Sequence, residues 1–543
     1  MDRQNGQNSL KQIRIFKWLK FIFFMVIFSF YGNLRVHSQI GTIQWQRSLG
    51  GSDSDGGFKI KSGPDRSFFL VGSSKSNNAD IPVNYGESDI VILKIDSLGA
   101  MNLINVIGGT SSDGAISFDF TDDGGFIIGG TTNSNDVFVT GNHGQSDYWI
   151  VKLDSARNIQ WQKCYGGPDR ESVSDIQQTT DSGFIVLGRT SSLGGNVWCN
   201  HGCNGCSVDF WTLKLDKYGN IQWQRCLGGI GEEFPGGLAQ TSDGGYVFCG
   251  SASFDNGDVS GCHGYSDYWV VKLDSTGVMQ WQRCLGGSSN DAANSIVSTT
   301  DGGCLVFGEA SSNDGDVSAN YGSWDAWLVK LDSFGNIEWD RNYGGSGSES
   351  GKALYVYNDT AIYLLSFSQS TDGDVSGNHG YGDFWIAKTD INGNLLWEKC
   401  FGGSNIDMPT SVYVINDFEF IMTGYSRSND GDVSGNHGGN CNGFVCEDIW
   451  VVKINDTNVS VNEFSDNNFL KIYPNPFYQT IKISIENSFS TTIDIYNVLG
   501  QIKFSKEIIG TEELDLSFIP SGIYFLECRN GNKKSVHKIV KQD

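Results

Sequence analysis

Proline is scarce in this 543-residue chain, at 8 residues, while glycine reaches 70 and aromatics 13%. That balance disfavours both helices and a disordered coil and fits many short strands joined by tight turns. Basic residues are also few. With 38 Lys and Arg against 62 Asp and Glu the formal net charge is −24, and no basic run follows the first twenty residues. Such a field repels phosphate backbones, so nucleic acid is excluded as a partner, while a neutral glycan, a cation or a basic protein surface is not. Catalytic signatures are missing too. There is no Gly-x-Ser-x-Gly elbow, no His-Glu-x-x-His, no phosphate-cradling loop ending in Lys-Ser/Thr, and no carboxylate pair standing apart from its surroundings.

Long apolar runs are confined to the start. Lys11, Arg14, Lys17 and Lys20 precede an apolar stretch from Phe21 to Tyr31, and Val36-His37-Ser38 precedes Gln39. This reads as a secretory signal over residues 1–38, too short in its apolar part to span a bilayer comfortably. The mature chain is expected to carry no integral membrane segment.

What is abundant is repetition. Aligned on Trp45, one unit recurs at Leu103, Trp161, Trp223, Trp281, Trp339 and Trp397, at intervals of 58 residues with a single one of 62. Each unit runs through Gly-Gly, a Ser/Asp-rich stretch, a Thr-x-Asp-Gly-Gly turn, a polar loop and an Asp-aromatic-Trp-Val-Val-Lys-Leu-Asp strand. Four period-two apolar runs per unit predict a four-stranded antiparallel sheet that cannot cover both its faces alone. The expectation is all-β: a seven-bladed β-propeller over residues 39–457, four antiparallel strands per blade. The chain enters the repeat on the strand at Ile43 and leaves it on the strand at Ile449, so the two ends are expected to pair in one blade and close the ring. The Asp332 to Trp339 and Asp216 to Trp223 stretches resemble the tryptophan-docking hairpins of quinoprotein-type propellers, with the indole filling the wedge between blades.

Past a linker at 458–468 the composition changes. Tyr473-Pro474-Asn475-Pro476, Ile495-Tyr496-Asn497-Val498-Leu499-Gly500-Gln501, Ile519-Pro520-Ser521-Gly522-Ile523-Tyr524 and Lys538-Ile539-Val540-Lys541-Gln542 follow in order. Residues 469–543 thereby resemble the type A C-terminal sorting domain of the Bacteroidetes type IX secretion system. The resemblance implies a small Ig-like β-sandwich, with Pro474, Asn475, Pro476, Gly500 and Gly522 as its motif. It also implies a translocon and sorting peptidase as partners, and a destination outside the cell or on its outer surface, reached via the periplasm.

Candidate sites lie in the long loops. Asp258, Asp316, Asp374 and Asp432 open a phrase repeated every 58 residues, with Asp314, Asp372 and Asp430 just before the last three. Clustered carboxylates are the oxygen ligands calcium prefers, and Asp with Gly is equally the material of any tight turn. His143, His201, His263, His379 and His437 share one loop position, with Tyr85 and Tyr321 in the other two repeats, a set that either packs the loops or takes a sugar or metal. The Asp before the third strand and the Lys within it recur in all seven repeats, which reads as architecture. Cys199, Cys203 and Cys206 sit around His201, and Cys441 and Cys446 share a similar insertion. Local disulfides are expected there ahead of a zinc clip, whereas Cys164, Cys226, Cys284 and Cys400 share a strand position and need not pair. The expected function is therefore binding of a glycan or protein on the loop-rich face. The alternatives are a polysaccharide hydrolase or lyase using Glu232 and Glu233 or Glu349, and a spacer with no ligand.

Overall fold

In the computed structural model the described residues are 41–63, 65–201, 207–441, 443–456, 470–485, 491–497, 501–530 and 533–542. The secretory signal and the linker fall outside them. Chain contacts divide the protein into two compact units, Met1–Thr457 and Asn458–Asp543.

The first unit is built of four-stranded antiparallel sheets in repeating order. Sheet 5 is typical, with strands Asp291–Ser298, Cys304–Ala310, Asp325–Leu331 and Ile337–Tyr343. Sheets 1, 2, 3, 4 and 6 span residues 55–107, 113–165, 171–227, 234–285 and 349–401 in the same order. Sheet 7 takes Asp407–Asn416, Glu419–Ser426 and Asp448–Asn455 from one end of the unit, and its fourth strand, Thr42–Leu49, from the other. The first strand of each sheet packs on that of the next, and that of sheet 7 on that of sheet 1. This circuit is a β-propeller arrangement, and it explains the apolar pattern. Third strands such as Asp267–Leu273 are buried at every position, on both faces, because a neighbouring sheet covers each face. The core is correspondingly divided into seven hydrophobic clusters, each shared by two consecutive sheets.

Two details account for the residue choices. The first strand of every sheet bulges, as between Ala293 and Ser295, and the second strand comes close at that point. A Cβ on Gly308 would stand 2.0 Å from the Ala292 carbonyl oxygen, so that position takes glycine. The Asp-aromatic-Trp strand then supplies the wedge. Tyr148, Tyr268 and Phe384 lie with ring centroids 4.7, 4.6 and 4.7 Å from Trp211, Trp327 and Trp450 of the next sheet. These third-strand indoles are fully buried, and the fourth-strand tryptophans add to the wedge from its edge, Trp161, Trp223 and Trp281 packing against the clusters shared with the next sheet. Trp45, Trp223 and Trp281 are only half-buried and donate Nε1–H to the carbonyl oxygens of Ser97, Ser275 and Ser333 in the next sheet's turn, at 3.0, 3.2 and 3.1 Å.

Five of the repeated third-strand lysines are ion-paired to the hairpin turn of their own sheet, Lys94 to Asp65 at 2.6 Å among them, whereas Lys388 donates to the Asp417 carbonyl of sheet 7. Lys152, Lys214, Lys272 and Lys330 reach Asp123, Asp181, Asp243 and Asp301 at 2.8, 2.9, 3.0 and 2.8 Å. The second unit holds a three-stranded and a four-stranded antiparallel sheet around one core containing Phe477, Ile481, Ile495, Leu514, Leu526 and Ile539. No helix among the described residues is long and apolar enough to cross a membrane.

Candidate functional site

The loop that joins the second and third strands of each sheet meets the crossover that enters the next. The Gly-Gly pair of the crossover is held by three side chains in turn. First, the Asp or Glu that opens the next first strand turns back onto the second glycine. Gly51, Gly109, Gly167, Gly229, Gly287, Gly345 and Gly403 donate N–H to Asp55, Asp113, Glu171, Glu233, Asp291, Glu349 and Asp407 at 2.6–3.1 Å. Second, the repeated loop aspartates clamp the same segment. Asp258, Asp316, Asp374 and Asp432 donate backbone N–H to Gly228, Gly286, Gly344 and Gly402 at 2.8–2.9 Å, and Asp314, Asp372 and Asp430 accept from Ser288, Ser346 and Ser404 N–H at 2.7 Å. The glycine between them, as at Gly315 with φ +67°, is positioned so that a Cβ would stand 2.3 Å from the Gly286 carbonyl oxygen. The Asp-Gly-Asp phrase is thus a staple.

Third, the aspartate before each third strand receives the histidine loop. His143, His201, His379 and His437 place Nδ1 at 2.6, 2.7, 2.6 and 2.6 Å from Asp147, Asp209, Asp383 and Asp448, and His263 stands 3.2 Å from Asp267. Where Tyr replaces His, Tyr85 and Tyr321 donate backbone N–H to Asp89 and Asp325. Each imidazole therefore serves its own sheet's third strand. Nε2 of His201 and His437 turns to the next sheet's loop, 3.5 Å from Asp258 and 3.6 Å from Asp80. The hydrogen bond to Asp209 raises the pKa of His201.

The first-strand carboxyls were not singled out as a series by sequence, although their constant offset from Gly-Gly was a usable signal. Second-strand and loop hydroxyls hold them, Ser76 to Asp55 at 2.8 Å and Ser368 to Glu349 at 2.7 Å. Glu349 is buried and committed to these bonds. Sheet 4 departs from the rule, with Ala252 and Phe254 at the two hydroxyl positions. Glu233 is left with the Gly229 N–H and an unpartnered, buried Oε1, and burial pushes its carboxyl up to about 7. Above it the surface is apolar. Ile230, Phe234 and Phe254 are 73%, 41% and 62% exposed, Ile230 N–H bonds Asn256 at 2.5 Å, and the Arg189 guanidinium lies 5.5 Å from the Phe234 ring.

The cysteines pair differently from expectation. Cys199 bonds Cys226 and Cys262 bonds Cys284, so the shared strand position pairs where the long loop carries a cysteine over it, while Cys164 and Cys400 at the same position stay free and buried. Cys441 and Cys446 form the local bridge. Cys203 and Cys206 lie outside the described residues. Among the described residues three His, Cys, Asp or Glu ligand atoms approach metal-binding distance only at Asp53, Cys441 and Cys446, where the two sulfurs are already joined. The Cys262–Cys284 bridge closes a loop of sequence separation 22. Cys262→Ser is expected to lower stability by about 3 kcal/mol on loop entropy. Urea midpoints of wild type and variant with and without reductant measure it, and coincident midpoints would remove the bridge from the account.

In the second unit Asn475 donates Nδ2–H to the Lys538 carbonyl at 2.8 Å and accepts from Val540 N–H at 2.9 Å, tying the Pro474-Asn475-Pro476 motif to the last strand. Gly522 opens the strand Gly522–Asn530, and Gly500 lies outside the described residues.

Comparison with known proteins agrees with this division. Residues 471–542 match the secretion system C-terminal sorting domain. That tail marks the chain for type IX export, to the cell surface or beyond. The chain is 31% identical over 325 residues to the regulatory protein FlaEY of Caulobacter vibrioides, a match covering 53% of this chain. It spans about a third, 34%, of that relative's length. Among solved structures, Sqt1 from Chaetomium thermophilum is similar at TM-score 0.40 and 14% identity, over 76% of this chain and 99% of that one. YCF48 bound to D1 peptide gives 0.37 and 9%, over 77% and 96%. The Pan2 WD40 domain of Neurospora crassa gives 0.32 and 12%, over 60% and 92%.

Proposed function

We propose that the exported chain is a binding protein whose seven sheets serve as the blades of a propeller, and that it takes a glycan or protein ligand on the loop-rich face at the junction of sheets 3 and 4. The supporting observation is the break in repetition there. At each of the other junctions at least one second-strand or loop hydroxyl bonds the first-strand carboxyl. At this one Ala252 and Phe254 replace the bonding hydroxyls, and Ile230, Phe234 and Phe254 face solvent beside the Arg189 guanidinium. An exposed aromatic cluster with a polar rim is what a sugar face or a partner's side chains stack on.

A hydrolytic reading draws on one observation, the carboxyl of Glu233 held near 7 beneath that patch. The test is binding of the purified chain to a glycan array, with and without calcium, the cation that clustered loop aspartates favour, alongside activity on pooled polysaccharides. Phe254→Ser restores the repeated residue and is expected to weaken binding at least tenfold. Unchanged binding in that variant would move the site elsewhere, and turnover lost in Glu233→Gln would favour the hydrolase.

A further inference from the structure

The third-strand aspartates leave a puzzle at every junction. All seven, from Asp89 to Asp448, are 0% exposed. In each, Oδ2 accepts the loop N–H, while Oδ1 has no hydrogen-bond partner. A buried carboxylate oxygen without a donor costs far more than an ordinary lost hydrogen bond.

Opposite each orphan stands the first-strand carboxyl of the next sheet, and the two converge on the first glycine of the Gly-Gly pair. A Cβ added at Gly108 would lie 1.9 Å from Asp89 Oδ1 and 3.0 Å from Asp113 Oδ2. At Gly344 the distances are 2.7 Å to Asp325 Oδ1 and 2.4 Å to Glu349 Oε2, and at Gly402 they are 2.6 Å to Asp383 Oδ1 and 2.7 Å to Asp407 Oδ2. The two carboxyl oxygens thus face one another across the space that the glycine leaves open, and among the described residues the junctions do not gather three His, Cys, Asp or Glu ligand atoms at metal-binding distance. A cation cage is therefore a poor fit, and two adjacent buried carboxylates do not both stay ionised.

We propose that each sheet junction binds one proton, carried on the orphan oxygen of the third-strand aspartate and donated to the first-strand carboxylate of the next sheet, so that proton-bridged carboxyl pairs tie the ring together. The bridge satisfies the orphan atom and removes one of the two buried charges. The acceptor oxygen keeps the Gly-Gly N–H it already takes, and the aspartate's other oxygen keeps the loop N–H. Titration follows the same sense. Burial pushes Asp55, Asp89, Asp325 and Asp407 up to about 6, and at the remaining junctions at least one member of the pair, Glu171, Glu233 or Asp267, is also raised by burial.

Two junctions give a clean reading because Tyr85 and Tyr321 stand where the others have histidine. The charged group facing Asp89 is Asp113, and those facing Asp325 are Glu349 and Asp374. Raised folded pKa values mean that the stabilisation is fully present below the unfolded value near 4 and is lost as pH rises through about 6. The carboxylates ion-paired to lysine have the opposite sign. Asp123, Asp243 and Asp301 are lowered to about 2 by their lysine and hydrogen-bond partners, against burial, and their contribution is lost only below the unfolded value near 4. Between pH 4.5 and 7.5 the pairs therefore dominate.

The melting temperature of the purified chain is expected to fall by about 5 °C or more from pH 4.5 to 7.5. In the double variant Asp89→Asn, Asp325→Asn each carboxamide donates the hydrogen that the proton would and does not titrate. Its melting temperature should match wild type at pH 4.5, exceed it at pH 7.5, and show a shallower slope between. Infrared spectra should show a protonated-carboxyl band in the wild type at pH 5.5 that shrinks in the variant. A wild-type melting temperature flat or rising over this range would overturn the proposal, as would an unchanged carboxyl band in the variant. So would stabilisation of wild type, and not of the variant, by millimolar calcium at pH 7.5, which would make these cation sites.

Discussion

A chain lacking residues 41–50 is expected to lose cooperative unfolding and to associate, because those residues are the fourth strand of sheet 7 and the clasp of the ring. Thr42–Leu49 runs antiparallel to Asp448–Asn455, from Thr42 opposite Asn455 to Leu49 opposite Ile449. Its side chains reach both neighbours. Gln46 Oε1 accepts from Trp450 Nε1–H at 3.0 Å within sheet 7, while Arg47 Nε and Trp45 Nε1 donate to the Gly99 and Ser97 carbonyls of sheet 1 at 2.8 and 3.0 Å. Burial of Ile43, Trp45 and Leu49 alone is worth about 5 kcal/mol, comparable with the whole margin of a folded domain. Removal also bares the strand Asp448–Asn455, an apolar edge ready to pair with another chain. Size-exclusion chromatography with light scattering and a thermal melt read the outcome, and a synthetic peptide of residues 41–50 should restore monomer and melt by adding back as a strand. A monomeric truncation melting within a degree or two of wild type would show that closure contributes nothing.

The repeat was legible because every sheet does the same mechanical work. The Asp-aromatic-Trp-Val-Val-Lys strand alternates its faces, its aromatic and its indole must each meet a neighbouring sheet, and no single repeat supplies both partners. The roles of individual residues were harder to read, since one chemistry serves two ends. Asp314 and Asp316 offer the oxygens that calcium prefers, and the same oxygens are what the orphan N–H groups of a Gly-Gly crossover require. Five histidines at one loop position fitted either loop packing or a ring facing a ligand, and each meets an aspartate four to eleven residues ahead, at His143 and Asp147 for example, a spacing visible in the sequence once the loop is known to turn back. The pairing of Cys262 with Cys284 had no local signal, because the loop lies over the fourth strand across 22 residues. The substitutions Ala252 and Phe254 became informative only after the first-strand carboxyls were seen to need hydroxyls at those positions.

Truncation after Thr457 is expected to abolish export while leaving the first unit folded. The sorting-domain match lies entirely within the second unit, and that unit's core, from Phe477 to Ile539, contains no residue from the first. An address carried on a separately cored module can be removed without opening any of the seven clusters between sheets. Fractionation of cells expressing the two chains should place the full chain at the surface or in the medium and the truncated one inside, with more than tenfold less outside. Protease resistance of the retained chain reports that it has folded. Asn475→Ala probes the module itself. It removes two hydrogen bonds to the last strand, at Lys538 and Val540, and should weaken the module by about 2 kcal/mol. If export falls in step with the melting of the tail, the translocon reads the folded sandwich. If Asn475→Ala stops export while the tail stays folded, it reads the motif residues directly. A truncated chain exported as well as the full one would separate this tail from the export route altogether.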